Sequence, residues 1–359
     1  MSVVVLVGTR KGLFVLESDE ARERWKLEGP LLTGWSVEHA IVDERDGTFH
    51  ACTNNFVYGP AVHRSSDGGA TWTRAEELGL PSESGLTLER TWHVEPGRAS
   101  EPGRLWLGGA PGVLFRSDDG GASWRSVEGI LEHPTRERWQ PGAGGMCCHS
   151  IQLDPKVPER MYVGISAAGV FRSDDEGESW TPANKGTAAD FHPEGYPEVG
   201  QCVHKVLLHP GRSGRLWQQN HCGVYRSNDA GESWERLDRN GLPSDFGFPL
   251  ALDPTDPDAA FVVPEESAEN RVTSDGRLGV YRTRDGGASW ELLRGGLPER
   301  AWVAVLREGL ASDRLDPPGV YLGTQSGSVF VSPDTGETWV DAASQLPPVL
   351  SVEVGVWPP

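Results

Sequence analysis

The sequence predicts an all-β fold, a single seven-bladed β-propeller, and three observations carry this prediction. A phrase with the pattern Ser/Thr-x-Asp-x-Gly-x-x-Trp occurs six times, and its successive tryptophans lie 49 to 56 residues apart. That period is too long for a helical solenoid and suits one four-stranded propeller blade. Apolar segments at both termini supply the strands of a seventh blade. The six copies span residues 65–72, 117–124, 173–180, 227–234, 283–290 and 332–339.

The residue types within the phrase predict a tight turn between two strands. The aspartate can accept backbone N–H hydrogen bonds across such a turn. The glycine supplies a positive φ, and the tryptophan packs its large ring against the neighbouring sheet. An alternative is that the aspartates are catalytic or bind calcium. Because turn chemistry alone explains an aspartate at this position, we predict that all six are structural.

Each repeat contains four predicted strands, and the two termini complete the ring. Residues 3–8 and 12–16 predict the second and third strands of a seventh blade, followed by a degenerate copy of the phrase at 18–25. Its missing innermost strand is residues 350–355. The chain 1–359 is thus predicted to form one ring, with blade seven built from about 1–28 plus 349–356. Closing the ring in this way removes free sheet edges.

The repeated phrase is similar to the Asp-box, or BNR repeat, of sialidases, xyloglucanases and sortilin-type receptors. The chain from residues 8–12 to residues 346–353 resembles uncharacterised bacterial proteins labelled glycosyl hydrolase or exo-alpha-sialidase-like. This resemblance implies a sialidase-like seven-bladed propeller and a glycosidase-like hydrolase. The sialidase catalytic set does not carry over, since no Phe/Tyr-Arg-Ile-Pro motif precedes the first copy and no tyrosine lies on a predicted innermost strand.

Net charge, apolar runs and cysteine count predict which partners the protein binds and in which cellular compartment it is found. A net charge of −19 disfavours nucleic acid and anionic lipid as partners. No apolar run reaches the roughly 18 residues of a membrane span, and the N-terminus lacks the basic segment of a signal peptide. Five cysteines, an odd number, fit a reducing compartment. We therefore expect a cytoplasmic protein with a small-molecule substrate or ligand, while the oligomeric state stays open.

Long insertions are predicted on the face of the ring opposite the repeated turns. They comprise residues 127–145, 181–200 and 264–271, which lead into innermost strands or join second and third strands. Long loops that cluster on one face of a rigid scaffold usually bind or catalyse. We therefore expect the functional site at the mouth of the central channel on this face.

Polar residues converge on this mouth when the innermost strands are aligned on the Asp-Pro or His-Pro that closes them. The alignment puts His149 and His204 in register, with Arg90 at the same place in blade two and Glu38 in blade one. Burying polar groups without hydrogen-bond partners costs free energy, so we expect this ring of polar groups to be functional. The predicted catalytic residues are His149, His204, Glu353 and Glu38. The predicted substrate-binding residues are Arg10, Arg90, Gln201, Asn220 and Asn55.

Histidines contributed by separate blades also suggest a metal site. Neutral imidazole is the commonest metal ligand, and three histidines with one open position make a catalytic zinc centre. Cysteines next to these histidines, among them Cys202, could add a thiolate. The alternative is a metal-free, hydrogen-bonded channel. The predicted ligands of one divalent ion, zinc or similar, are His39, His149, His204 and His221.

Three functions remain compatible with the sequence. The first is an enzyme that acts on a small polar or anionic substrate at the histidine-lined mouth, with Arg10 and Arg90 binding the anionic group. The second is a sialidase-like or other glycoside hydrolase that uses Glu38 and Glu353 as a carboxylate pair, unless each carboxylate is neutralised by a nearby cation. The third is a non-catalytic ligand-binding or assembly-scaffold propeller. Fold alone does not decide among them.

Overall fold

Seven four-stranded antiparallel sheets surround a central channel in the computed structural model, which describes residues 2–357. The predicted seven-bladed β-propeller is confirmed. Within the described residues, helix is limited to one turn of α-helix at Glu128–Leu131 and 3-10 turns at Ser82–Ser84, Arg136–Arg138 and Ser274–Gly276. No helix of this part of the chain is both long and apolar enough to cross a membrane.

Six of the blades are built from four strands that follow one another outward from the channel. In blades one to three these strands are Ser36–Val42, Phe49–Asn55, Gly59–Ser65 and Thr73–Arg74; Arg90–Pro96, Leu105–Ala110, Val113–Ser117 and Arg125–Ser126; and Cys147–Leu153, Met161–Ser166, Gly169–Ser173 and Thr181–Pro182. In blades four to six they are Val203–Leu208, Leu216–Asn220, Gly223–Ser227 and Glu235–Arg236; Gly247–Leu252, Ala260–Pro264, Val280–Thr283 and Glu291–Leu293; and Leu310–Ser312, Val320–Gly323, Val329–Ser332 and Val340–Ala343.

The seventh blade joins the two ends of the chain. Its innermost strand, Val349–Trp357, is called here the closing strand, and it pairs antiparallel with Ser2–Thr9 along nearly its whole length. Gly12–Asp19 and Lys26–Leu31 complete this sheet. The side chains of Val349 and Val352 are buried in a hydrophobic cluster that also contains strand residues of blade six. The prediction that both termini close the ring within one blade is confirmed.

The repeated phrase folds as a turn held together by its own aspartate. In the third copy, Asp175 Oδ1 accepts hydrogen bonds from Ser173 Oγ at 2.7 Å and from the Ser179 N–H at 2.9 Å, and Oδ2 accepts one from Ser179 Oγ. Gly177 has a φ of 91°, and its N–H donates to Ser173 Oγ at 2.8 Å. The same aspartate contacts recur in the other copies. Hydrogen bonds from Thr71 lower the pKa of Asp67 in the first copy to about 2.

Replacing a turn aspartate is expected to destabilise the fold modestly. Asp175→Ala removes three hydrogen bonds at an exposed turn, so we expect the free energy of unfolding to fall by about 1 kcal/mol, measured by chemical denaturation. Glu178→Ala in the same turn is the control, because the Glu178 carboxylate has no hydrogen bond or ion pair within residues 2–357. An Asp175→Ala protein that unfolds like the wild type but loses ligand binding would contradict the structural role.

Candidate functional site

The innermost strands of six blades share a β-bulge near the channel mouth. In blade one, Val37 and His39 pair with consecutive residues of the next strand, so Glu38 is left without a pairing partner. A bulge redirects the unpaired side chain relative to the regular alternation of a strand. Equivalent register shifts leave residues without a pairing partner in five other blades. These residues are Trp92 in blade two, His149 in blade three, His204 in blade four, Phe248 and Pro249 in blade five, and Leu350 in blade seven.

Blade six contributes Glu308 at the corresponding position. Glu38 lies five residues before Asp43, whose N–H bonds to Thr48 O at the end of the strand, and Glu308 lies five residues before Asp313, whose N–H bonds to Gly319 O. One residue of each blade therefore occupies this level of the channel. We call this set the bulge ring: Glu38, Trp92, His149, His204, Phe248, Glu308 and Leu350.

The prediction that Arg90 occupies this level in blade two is wrong. The N–H that closes the innermost strand of blade two belongs to Gly97, which donates to Arg104 O at 2.8 Å. The sequence alignment used Glu95-Pro96 as the closing pair instead. Because that pair lies two residues too early, the true equivalent of His204 is Trp92. Arg90 lies at the start of the strand and still reaches the channel mouth.

The bulge ring opens into a cavity of about 950 Å³ at the channel mouth, called here the upper cavity. All of the bulge ring except His149 lines it. The three long insertions cover it, since they contribute Arg138, His192 and Arg271 to its wall. The insertions therefore meet at the channel mouth, as the sequence predicts.

The upper cavity is positively charged within a strongly acidic protein. Its wall carries six lysine and arginine side chains against two glutamates, whereas the whole chain has a net charge of −19. Arg138 pairs with the exposed Glu198 at 2.5 Å. Among residues 2–357, no carboxylate forms an ion pair with the remaining four arginines. These four, which are free to bind an anionic group, are Arg10, Arg90, Arg271 and Arg307.

Two glutamates of the bulge ring face this cavity, and their pKa values are shifted in opposite directions. Burial raises the pKa of Glu38, although the Arg90 charge and a hydrogen bond from Ser36 Oγ at 3.0 Å act in the opposite direction. Burial also opposes ionisation of Glu308, but the charges of Lys205 and His93 outweigh it and hold the Glu308 pKa well below its usual range. One cavity thus holds one carboxyl group with a raised pKa and one with a lowered pKa.

A buried ionic cluster closes the channel beneath the upper cavity. Lys205 Nζ contacts the Glu308 carboxylate, and His93 Nδ1 lies 3.3 Å from Glu308 Oε1. The rings of His39 and His93 stack with centroids 4.1 Å apart. Burial disfavours charge on His93, but the Glu308 and Glu95 carboxylates beside its two ring nitrogens raise its pKa to about 9. We call Lys205, Glu308, His93 and His39 the channel cluster.

The channel cluster separates the upper cavity from a lower cavity of about 820 Å³ on the opposite side. Glu353 lines the lower cavity, where its Oε2 lies 3.4 Å from His39 Nε2, whereas Glu38 lines the upper one. The predicted carboxylate pair of Glu38 and Glu353 is therefore corrected, because the two groups open onto different cavities. Glu308 is the second carboxylate of the upper cavity.

Two of the predicted metal ligands meet in the wall of the upper cavity. His204 Nε2 lies 3.6 Å from Cys202 Sγ, and the rings of His204 and His221 approach with centroids 5.6 Å apart. Cys202 and His204 are buried, and His221 is half-buried. Each of the three offers one ligand atom within 4.8 Å of the others.

The other predicted metal ligands lie elsewhere. His149 is fully buried, and its ring nitrogens lie 2.9 Å from Ser150 Oγ and from Val203 O. His39 belongs to the channel cluster, where His39, His93 and Glu308 also place ligand atoms within 4.8 Å of one another. The Lys205 ammonium already neutralises Glu308 there, so that cluster is internally paired.

The remaining predicted substrate-binding residues do not line the upper cavity. Gln201 is buried with its amide donating to Pro197 O, and Asn220 donates to Gln218 Oε1 at 3.0 Å. Asn55 accepts the N–H groups of Val57 and Tyr58 in a hairpin turn. The structure gathers five of the predicted site residues at the upper cavity: Arg10, Glu38, Arg90, His204 and His221.

Sequence reasoning did not identify Arg307 and Glu308. Blade six lacks the Asp-Pro or His-Pro used in the alignment, because Asp313 is followed by Arg314. The spacing of five residues between Glu308 and Asp313, the same as in blade one, is the signal that could have found it. Arg271 lies at the end of a predicted insertion, but no role was assigned to it.

The chain shares sequence similarity with xyloglucanases. No protein-family model matches it. It is 26% identical over 297 residues to a xyloglucanase from Paenibacillus sp, an alignment that covers 80% of this chain and 24% of that enzyme. The chain spans about a quarter of the length of the curated xyloglucanases that it matches.

Solved structures share its fold across several activities. An ancestral GH74 enzyme superposes with a TM-score of 0.62 at 17% identity, covering 84% of this chain and 37% of that one. The periplasmic gluconolactonase PpgL of Pseudomonas aeruginosa also reaches a TM-score of 0.62, at 12% identity, and 99% of each chain is covered. The chain is therefore a seven-bladed propeller similar in sequence to xyloglucanases and similar in fold to enzymes of more than one chemistry.

Proposed function

We propose that the protein is a hydrolase of small acidic saccharides, with its active site in the upper cavity. The observation that carries this proposal is the combination, in one cavity, of four arginines without a carboxylate partner within residues 2–357 and two glutamates whose pKa values are shifted in opposite directions. Environments that drive two carboxyl pKa values apart assign one group as the acid and the other as the carboxylate. The sequence similarity to xyloglucanases supports a glycosidic bond as the target.

The wall of the upper cavity suits an anionic sugar. Arginine binds a carboxylate through two parallel N–H donors, and Arg10, Arg90 and Arg307 are not engaged by protein carboxylates. Trp92 and Phe248 add aromatic surface, against which the apolar face of a sugar ring can pack. A volume of about 950 Å³ accommodates a mono- or disaccharide.

The two glutamates suit the roles of hydrolysis. In the proposed mechanism Glu38 is the general acid that protonates the leaving oxygen, since its raised pKa keeps the carboxyl protonated closer to neutral pH. Glu308, held ionised by Lys205 and His93, is the carboxylate that stabilises the cationic transition state or activates water. Activity should therefore fall as pH rises through the Glu38 pKa, and fall in acid when Glu308 becomes protonated.

Hydrolysis of matched fluorogenic glycosides tests this proposal. We expect the 4-methylumbelliferyl glucuronide of one anomer to be turned over with a kcat/KM at least about tenfold above that of the corresponding glucoside, because only the glucuronide offers a carboxylate to the arginines. Arg90→Met should raise KM for the glucuronide alone. Glu38→Gln should lower kcat by about 10²–10⁴-fold, whereas Glu44→Gln, at an exposed position on the rim of the lower cavity, should leave it unchanged.

The possible results separate the proposed functions. Calorimetric binding of glucuronate without turnover, unaffected by Glu38→Gln, would replace the enzyme with a ligand-binding propeller. Preference for the neutral glucoside would reject the anionic substrate class. A protein that neither binds nor hydrolyses any acidic glycoside would overturn the proposal.

A further inference from the structure

One group of side chains in the upper cavity has no part in the carboxylate mechanism. It consists of Cys202 and His204, at the start of the innermost strand of blade four, and His221, in the turn after the second strand of that blade. The two segments are tied together, because the His221 N–H donates to Cys202 O at 2.9 Å. All three residues line the upper cavity.

We infer that Cys202, His204 and His221 form a mononuclear binding site for zinc or a similar thiophilic divalent ion, with its fourth position open to the upper cavity. A tetrahedral zinc ion with bonds of about 2.3 Å to sulfur and about 2.0–2.1 Å to nitrogen places those two ligand atoms about 3.6 Å apart. The separation of Cys202 Sγ and His204 Nε2 is 3.6 Å. The third ligand atom lies within 4.8 Å of both.

The ring of His204 is oriented for this role by its other nitrogen. Nδ1 lies 2.5 Å from Gly247 O, and since a carbonyl can only accept, Nδ1 carries the proton. Nε2 therefore presents its lone pair toward Cys202, as in sites where a backbone carbonyl orients a ligating histidine. The ring also stacks on Phe248 at 4.5 Å between centroids. The geometry is thus set by protein contacts that need no ion.

His221 completes the set. Its ring packs edge-on against Phe191 and Phe246, with centroids 5.2 Å apart in each case. Within the described residues neither of its ring nitrogens has a hydrogen-bond partner. A half-buried imidazole with both nitrogens unpaired in a cavity wall is available to an ion.

The charge around the site limits which ions and ligands it accepts. Arg307 donates to Ser166 Oγ at 3.4 Å, and that oxygen lies 3.6 Å from Cys202 Sγ, so a cation lies close by. A thiolate ligand offsets one charge of a divalent ion, and an anion or hydroxide at the open position offsets the other. One sulfur and two imidazole ligands favour zinc and cobalt over magnesium, calcium or manganese. The inference stands independently of the proposed hydrolysis, which uses other residues.

Titration with Co²⁺ tests the site without reference to activity. Purified full-length protein without an affinity tag, treated with chelator and dialysed, should bind one equivalent of Co²⁺. It should develop a thiolate-to-cobalt charge-transfer band and the intense visible bands of a tetrahedral ion, and Zn²⁺ should displace them. Cys202→Ser should abolish the charge-transfer band, and His221→Gln should weaken Co²⁺ binding by about tenfold or more.

Cys222→Ser is the matched control, because Cys222 is a buried cysteine next to His221 but outside the set. It should keep both the band and the affinity. Thermal melts followed by circular dichroism check that each variant is folded, and His221→Gln at a half-buried turn provides a second variant if Cys202→Ser is unstable. Failure of the wild-type protein to bind Co²⁺, or a charge-transfer band that survives Cys202→Ser, would overturn the inference. Glycoside hydrolysis by the chelated protein is a separate measurement, and it tests the proposed function rather than the metal site.

Discussion

Deleting residues 347–359 is expected to abolish the cooperative unfolding transition of the protein or leave it insoluble. The closing strand pairs with Ser2–Thr9 and supplies the innermost strand of blade seven. Without it, that N-terminal strand becomes an open edge that carries five consecutive apolar residues, and exposed apolar edges pair with other chains. Differential scanning calorimetry of the soluble fraction measures the effect. An unchanged melting temperature would show that the ring does not depend on its C-terminal strand.

A pair of point substitutions separates strand pairing from general truncation effects. Val352 in the closing strand is 1% exposed, whereas Val340, in the outermost strand of blade six, is 43% exposed. Val352→Asp places an unpaired charge in the cluster between blades six and seven, so we expect a loss of about 4 kcal/mol in the free energy of unfolding. Val340→Asp should change it by less than about 0.5 kcal/mol. Equal effects at the two sites would contradict the assigned burial.

Replacing Lys205 is expected to destabilise the protein strongly through the channel cluster. Lys205→Met leaves the buried Glu308 carboxylate without its ammonium partner, and breaking a buried ion pair in this way costs about 3–5 kcal/mol. Chemical denaturation at pH 6 measures the loss. Lys26→Met is the matched control, because Lys26 pairs with Glu28 at the exposed surface, where such a pair contributes little. A Lys205→Met protein as stable as the Lys26→Met protein would show that the cluster is not held by this charge pair.

The same cluster predicts a pH dependence of stability. The folded pKa of His93, about 9, lies above the value of about 6.5 expected in the unfolded chain. Its contribution is therefore complete below about pH 6.5 and is lost as pH rises toward about 9. Glu308 has a lowered pKa, so its contribution is present above about pH 4.3 and is lost in acid. Glu308→Gln should reduce the alkaline part of this dependence, because it removes the larger of the two carboxylate contributions that raise the His93 pKa and leaves the Glu95 carboxylate beside the ring.

The sequence alone was sufficient to predict the ring and its closure. The repeated phrase is a local structure, in which Asp175 bonds to residues two and four positions away, so the pattern carries its own geometry. Six such turns at a near-constant spacing predict six blades, and the apolar segments at the termini predict the seventh. Long insertions on one face then predicted where the upper cavity lies.

The composition of the site was decided by the tertiary structure. A bulge near the start of the innermost strand in six of the seven blades moves one residue out of register, and a shift of one residue exchanges the two faces of a strand. In blade two, the hydrogen bond from the Gly97 N–H to Arg104 O closes the innermost strand two residues after Glu95, so Arg90 was assigned to the level that Trp92 occupies. Blade six lacks an Asp-Pro or His-Pro pair directly after its innermost strand, where Asp313 is followed by Arg314, so Glu308 was not identified. Glu38 and Glu353, assigned to one site, lie on opposite sides of the channel cluster. Local hydrogen bonds define the blade, but the packing of all seven blades around one channel decides which side chains meet.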